Sequence, residues 1–192
     1  MKKLFSIGVL MLAVGFLALP AHAQDMAKKT AAVKPVSSPS QAVLESWNDI
    51  GRKLIAMAED FPEDKYDFKP KPEQRSFAQQ LLHAAGANYF FTNLAMGEKV
   101  PTEEEPKRDQ FKTKADVVNY VKKSFADGAA AIKAKGDKGM DTVVTEPFGN
   151  QQTRIGDMAY GFIEHSGEHY GQLVGYYRMA GLVPPESRPK TK

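Results

Sequence analysis

Imidazole is scarce in this chain and concentrated in one place. The sequence holds four histidines, and two of them, His165 and His169, stand four residues apart in IEHSGEHYGQLVGYYRMAG. His83 lies far upstream and His22 near the start. A spacing of four puts two side chains on one helix face, about 40° apart at 100° per residue. Two imidazoles on adjacent turns can bind one divalent metal ion, as paired histidines do in zinc helices. Met158, Phe162, Leu173 and Tyr176 share that face, so it is expected to point inward. The same helical wheel groups His83 with Gly86, Ala87, Phe90 and Leu94, again an apolar stripe. A lone histidine on such a stripe is ordinarily a hydrogen-bonded core residue. Three converging from two helices can instead form a metal site, and Gly86 and Ala87 leave room beside His83. The residues by themselves leave both readings open.

Four more polar side chains border these faces. Gln79 lies one turn before His83 and either orients its ring or only caps the helix. Gln172 falls near the His165 face as a polar pocket residue. Glu168 is about 60° off that face, at the rim, as a general base or a solvated carboxylate. Tyr176 brings either a phenol to the pocket or plain core. No serine–histidine–aspartate order, phosphate-binding loop or dinucleotide fingerprint is visible, and the chain has no cysteine to act as nucleophile, ligand or disulfide.

The elements that must carry these residues read as four helices. Ser38, Pro39 and Gln41 mark the start of the first, with the capping-box spacing. Val43, Leu44, Trp47, Ile50, Leu54, Met57 and Ala58 then recur at three and four, predicting helix to about Asp60. FPEDKYDFKPKPEQR carries three prolines and cannot continue it; its Phe61, Tyr66 and Phe68 are expected against the bundle end. Ser76 with Gln79 repeats the capping box and opens a second helix through Leu81, Leu82, Phe90 and Leu94 to about Gly97. VPTEEEPKRDQFKTK reads as a surface connection. A third helix is expected from Thr113, through Val117, Val118, Val121, Phe125, Ala129 and Ile132, to Gly136. Val143 and Val144 form at most a short extended piece. Thr153 is the expected cap of the fourth helix, which runs to Gly181 ahead of two prolines. The fold class is therefore all-α, a four-helix bundle with long loops between helices.

Around the bundle, composition sets the setting. MKKLFSIGVLMLAVGFLALPAHA has two lysines, an apolar run and a small-x-small site, the pattern of an export signal. Its apolar run is shorter than the ~20 residues of a membrane span, so cleavage after Ala23 is expected and no stable anchor remains. That makes residues 1–23 a signal peptide, 24–37 a flexible linker, 38–188 the bundle and 189–192 a C-terminal tail. His22 departs with the signal, and the product is exported, periplasmic or secreted. The leader takes two of the positive charges behind a net +3, and the near-neutral remainder gives no reason to expect nucleic-acid binding.

One stripe of the fourth helix faces away from the histidines. Gly156, Tyr160, Gly167 and Gly171 fall opposite them on the wheel. Each interior glycine costs roughly 0.8–1.0 kcal/mol against alanine, so a stripe of them suggests close approach by another element. A homodimer partner and the loop FPEDKYDFKPKP are the two candidates.

RSFAQQLLHAAGANYFF, NQQTRIGDM and HSGEHYGQLVGYYRMAGLVPPESR resemble the DinB-like family of metal-binding four-helix bundles, in order and spacing, over roughly Ser40 to Arg188. The most specific stretch is the last, where the His-x-x-x-His helix runs into Gly-Leu-Val-Pro-Pro. The resemblance implies that one histidine of the second helix and two of the fourth bind a divalent metal, and these map onto His83, His165 and His169. Zinc or nickel is expected first, with iron also compatible with imidazole ligands. Three imidazoles leave a coordination position open, as catalytic sites do. Family members include thiol-dependent S-transferases, whose cosubstrates are cytosolic, whereas this chain carries an export signal. The resulting expectation is a metal-dependent hydrolase or transferase acting on a small molecule. The alternative is a non-catalytic metal- or ligand-binding bundle.

Overall fold

Capping chemistry starts three of the helices where the sequence predicts. The computed structural model describes residues 35–101, 105–146 and 149–189, so the expected signal peptide and most of the linker lie outside the described residues. Helix α1 spans Pro39–Asp60, and Ser38 Oγ accepts from the Gln41 amide. The Gln41 side chain does not complete the box. Its Nε2 instead donates to the Glu45 carboxylate, one turn on in α1, at 3.1 Å, a charge-assisted bond. Helix α2 spans Phe77–Met96 with both halves of the Ser76–Gln79 box formed, and Gly97 ends it in the left-handed conformation. Helix α3 opens at Thr113, which exchanges capping bonds with Asp116.

Two boundaries differ from the sequence expectation. Gly136 does break α3 (φ 57°), but further helical residues follow to Met140, so the element is Lys114–Met140 with a kink. Thr153 does not cap the fourth helix. It sits in strand β2 (Gln152–Arg154), paired antiparallel to β1 (Val143–Thr145), with Val144 opposite Thr153. Helix α4 then starts one residue later, Ile155–Met179, with Arg154 at its cap position and no side-chain cap bond. The pairing absorbs the residues that local capping rules would have assigned to the helix.

Helices α1 and α2 each pack on both α3 and α4, which puts the consecutive helices α1 and α2 across a diagonal of the bundle. The α1–α3 contact is the tightest. Trp47 is fully buried and its ring lies over Gly128, where an added Cβ would come within 2.0 Å of it. Phe125 lies reciprocally against Gly51, and Trp47 Nε1 donates to the Phe125 carbonyl at 2.9 Å. Small residues at these two positions let two large rings interleave. At the bundle end Phe61 stacks on Phe77 with centroids 3.7 Å apart, the buried Tyr66 donates to the Ala58 carbonyl, and Phe68 is partly buried. The proline-rich loop thus closes that end as expected. Arg188 ties the C-terminal segment back by pairing with Asp60.

The glycine stripe of α4 divides. Gly156 meets the Met140 carbonyl, 3.2 Å from where its Cβ would be. Gly167 and Gly171 have no described atom within 4 Å of that position, so the loop FPEDKYDFKPKP does not cover them. No described helix is long and apolar enough to cross a membrane.

Candidate metal centre

The three histidines come together. His165 and His169 extend from successive turns of α4, and His83 meets them from α2. Ring centroids are 4.5 Å apart for His165–His169, 4.7 Å for His83–His169 and 5.2 Å for His83–His165. One nitrogen from each ring lies within 4.8 Å of the others, as three ligands of one ion would. His169 is buried, while His83 and His165 are half-buried. The most deeply buried arc of α2 runs through Ala84, Ala85 and Asn88, and His83 lies at its flank. The cluster therefore sits at the side of the bundle and not on its axis, because α2 must serve two neighbours and its central arc is taken by them.

Burial lowers the basicity of all three rings. His169 is pushed down to about 4, first by burial and then by the neighbouring His165 and His83. His165 is lowered by burial and by His83. His83 is lowered by burial, although the adjacent Glu105 acts the other way. Near neutral pH the rings are uncharged and have lone pairs to offer, the state a metal ligand needs.

The hydrogen bonds decide which nitrogen carries that lone pair. His169 Nδ1 lies 2.8 Å from Gln80 Oε1. Gln80 Nε2 in turn donates to Gln172 Oε1 at 2.8 Å and approaches the Tyr176 hydroxyl at 3.4 Å. With the amide in that orientation, Nδ1 of His169 is the donor and its Nε2 carries the lone pair. His83 Nδ1 lies 2.7 Å from Glu105 Oε1, which makes it a donor too. His169 Nε2 and His165 Nε2 face each other at 3.2 Å. His165 Nδ1 is buried and has no partner among the described residues. An acceptor on Nδ1 is how metal-binding imidazoles are oriented, and the unpartnered His165 Nδ1 carries a cost that an ion bound there would remove. The donor set fits a divalent ion.

The flanking residues sort differently from the sequence expectation. Gln79 is a cap: its Oε1 accepts from the Ser76 amide at 2.8 Å and it does not orient His83. Gln172 and Tyr176 act on the site through Gln80, and Tyr176 also donates to the Arg75 carbonyl at 2.6 Å. Glu168 is exposed, at the rim. Sequence reasoning missed Gln80 and Glu105. Gln80 left one trace, a polar residue among apolar ones on the buried arc of α2. Glu105 left none, since only the return of a loop brings it to His83.

Beside His165 a cavity of about 350 Å³ opens, lined by Glu146, Thr153, Asp157, Met158, Phe162 and the ring itself. The hairpin forms one wall and α4 the other. Its lining mixes apolar side chains with carboxylates, a pairing suited to a small organic molecule.

Known proteins share this architecture. A solved structure, YfiT from Bacillus subtilis, superposes with a TM-score of 0.61 at 14% identity, covering 78% of this chain and 93% of that one. It is described as "a probable metal-dependent hydrolase with an unusual four-helix bundle topology". At that identity the likeness establishes the four-helix-bundle fold. No curated protein matches the chain. The model of the DinB superfamily matches residues 47–173, from Trp47 in α1 to Leu173 in α4 and including all three clustered histidines. On that match, the chain belongs to the DinB superfamily.

Proposed function

We propose that His83, His165 and His169 bind one divalent metal ion, zinc or nickel in first place and iron next, and that the protein is a metal-dependent hydrolase of a small molecule. The observation that carries this reading is the convergence of three imidazoles, one nitrogen of each within 4.8 Å of the others, two of them with Nδ1 beside an acceptor. A bound divalent ion supplies Lewis acidity for polarising a carbonyl and activating water. The chain's own residues do the rest. Gln80 holds the His169 ring, and burial favours the uncharged form of the rings. The cavity beside His165 holds the substrate, with Met158 and Phe162 against its apolar part. The description of YfiT as a probable hydrolase lends support. Elemental analysis of the purified protein is expected to find one ion per chain. Screening against esters, amides and thiol adducts should then find turnover that a chelator abolishes. Thiol-adduct turnover alone would favour the transferase, and metal without turnover the non-catalytic binding bundle. Absence of metal would sink the reading.

Export follows from the leader. Mature protein recovered from the cell envelope or medium is expected to begin at Gln24 by mass spectrometry. An intact Met1 on membrane-bound protein would overturn this.

A homodimer through α4 is the third element of the proposal. Gly167 and Gly171 are open to a neighbour, and the exposed Tyr160 and Met179 lie on the same helix. Sedimentation should give a dimer that the double substitution Gly167→Leu/Gly171→Leu disrupts. A parent protein that sediments as a monomer would end the idea.

A further inference from the structure

We propose that Glu105 is the positioning residue for His83, and that the stretch 105–111 ahead of α3 holds it against the cluster. The inference rests on the reading that the three histidines hold a metal ion. His83 is the single ligand that α2 contributes, and its Nδ1 bond goes to neither ligand helix. It goes to Glu105 at 2.7 Å, on the segment after α2. That carboxylate is itself held by Arg75, whose Nε meets Oε2 at 3.1 Å and whose Nη2 meets Oε1. Arg75 immediately precedes the Ser76 cap of α2, and its carbonyl receives the Tyr176 hydroxyl. One residue therefore braces both supports: its guanidinium holds Glu105 for His83, and its carbonyl holds Tyr176 beside Gln80, the partner of His169.

The connection is seated independently of the ion pair. Pro106 rests on Gly86, one turn beyond His83, so closely that a Cβ there would lie 2.8 Å from Pro106 Cδ. Arg108 pairs with Asp67 at 2.8 Å, and Phe111 packs on Tyr120 with centroids 4.8 Å apart. Glycine at position 86 thus lets the proline come down and sets the reach of its neighbour Glu105. Partly exposed ion pairs contribute little to folding, so stability does not account for the run of contacts from Arg75 through Glu105 to His83. Orientation does. A carboxylate on Nδ1 fixes the tautomer and strengthens Nε2 as a ligand, and losing such a partner typically costs about 10–100-fold in metal affinity.

The test measures zinc affinity by competition with a chromogenic chelator, together with the visible spectrum of the cobalt(II) form. Glu105→Ala should weaken zinc binding about 10–100-fold and alter the cobalt spectrum, with thermal melting of the metal-free protein unchanged. Glu105→Gln, which keeps the acceptor, should recover much of the affinity. Gly86→Ala, which leaves every charged group in place, should weaken binding by lifting Pro106. The double substitution Arg75→Ala/Glu105→Ala should stay weak. Recovery of parental affinity in the double variant would mean that Glu105 only masks the Arg75 charge, and would overturn the positioning role. Parental affinity and spectrum in Glu105→Ala would overturn it as well, while leaving the three-histidine reading intact. If the parent protein binds no zinc or cobalt, that reading fails first and this inference falls with it.

Discussion

Substitution of His169 by alanine is expected to release most of the bound metal. His169 is the most buried of the three rings and close to both others, with centroids 4.5 and 4.7 Å away. Removing it takes away one of the three proposed protein ligands. The loss should exceed the roughly 10–100-fold that follows removal of a mere supporting partner. The substitution also leaves Gln80 Oε1 without its donor, and an unsatisfied buried acceptor costs about 1–3 kcal/mol. Metal content must therefore be read beside a circular-dichroism check that the bundle is folded. A folded variant that keeps its metal would remove His169 from the ligand set. Any hydrolytic activity should fall with the metal.

The largest effect on folding is expected at Trp47. Its side chain is fully buried and contacts Phe91 and Phe125 at centroid distances of 5.2 and 5.6 Å. Its indole nitrogen donates to the Phe125 carbonyl, and its ring fills the space that Gly128 leaves open. Alanine at position 47 would open a cavity across the α1–α3 contact and delete the hydrogen bond. Large aromatic truncations in cores cost about 3–5 kcal/mol. For a chain of this size each kcal/mol moves the midpoint by about 2–4 °C, so thermal denaturation should show a fall of roughly 6–20 °C. Trp47→Phe should lose less, since much of the ring volume remains. A midpoint for Trp47→Ala close to that of the parent would mean that α1 and α3 do not rely on this contact.

Interactions spanning one or two helical turns are legible in the sequence itself. Ser38, Ser76 and Thr113 announce helix starts because a cap bond closes over three residues, within reach of local sequence. The i,i+4 pair His165 and His169 declares a shared face for the same reason. Apolar spacing from Val43 to Ala58 likewise marks the side of α1 that is buried. Local rules mislead where a non-local bond competes for the same group. Thr153 has a capping side chain, but its backbone pairs with Val144 across the hairpin. Gln79 is a cap, one of its two expected roles, and the glutamine that supports a histidine is Gln80, one residue further along.

What the sequence hides depends on which helices become neighbours. Placing His83 beside His165 and His169 requires α2 to pack on α4, and helical periodicity gives a buried face without naming the partner it will meet. The support of His169 by Gln80 spans 89 residues, and Glu105 reaches His83 only because a loop folds back over Gly86. Such contacts arise from the summed packing of all four helices, where no single pair of residues carries a signal of its own. Helix faces and caps are written in the chain because their energies are local; the order of helices and the seat of a loop emerge when apolar faces compete for burial in three dimensions.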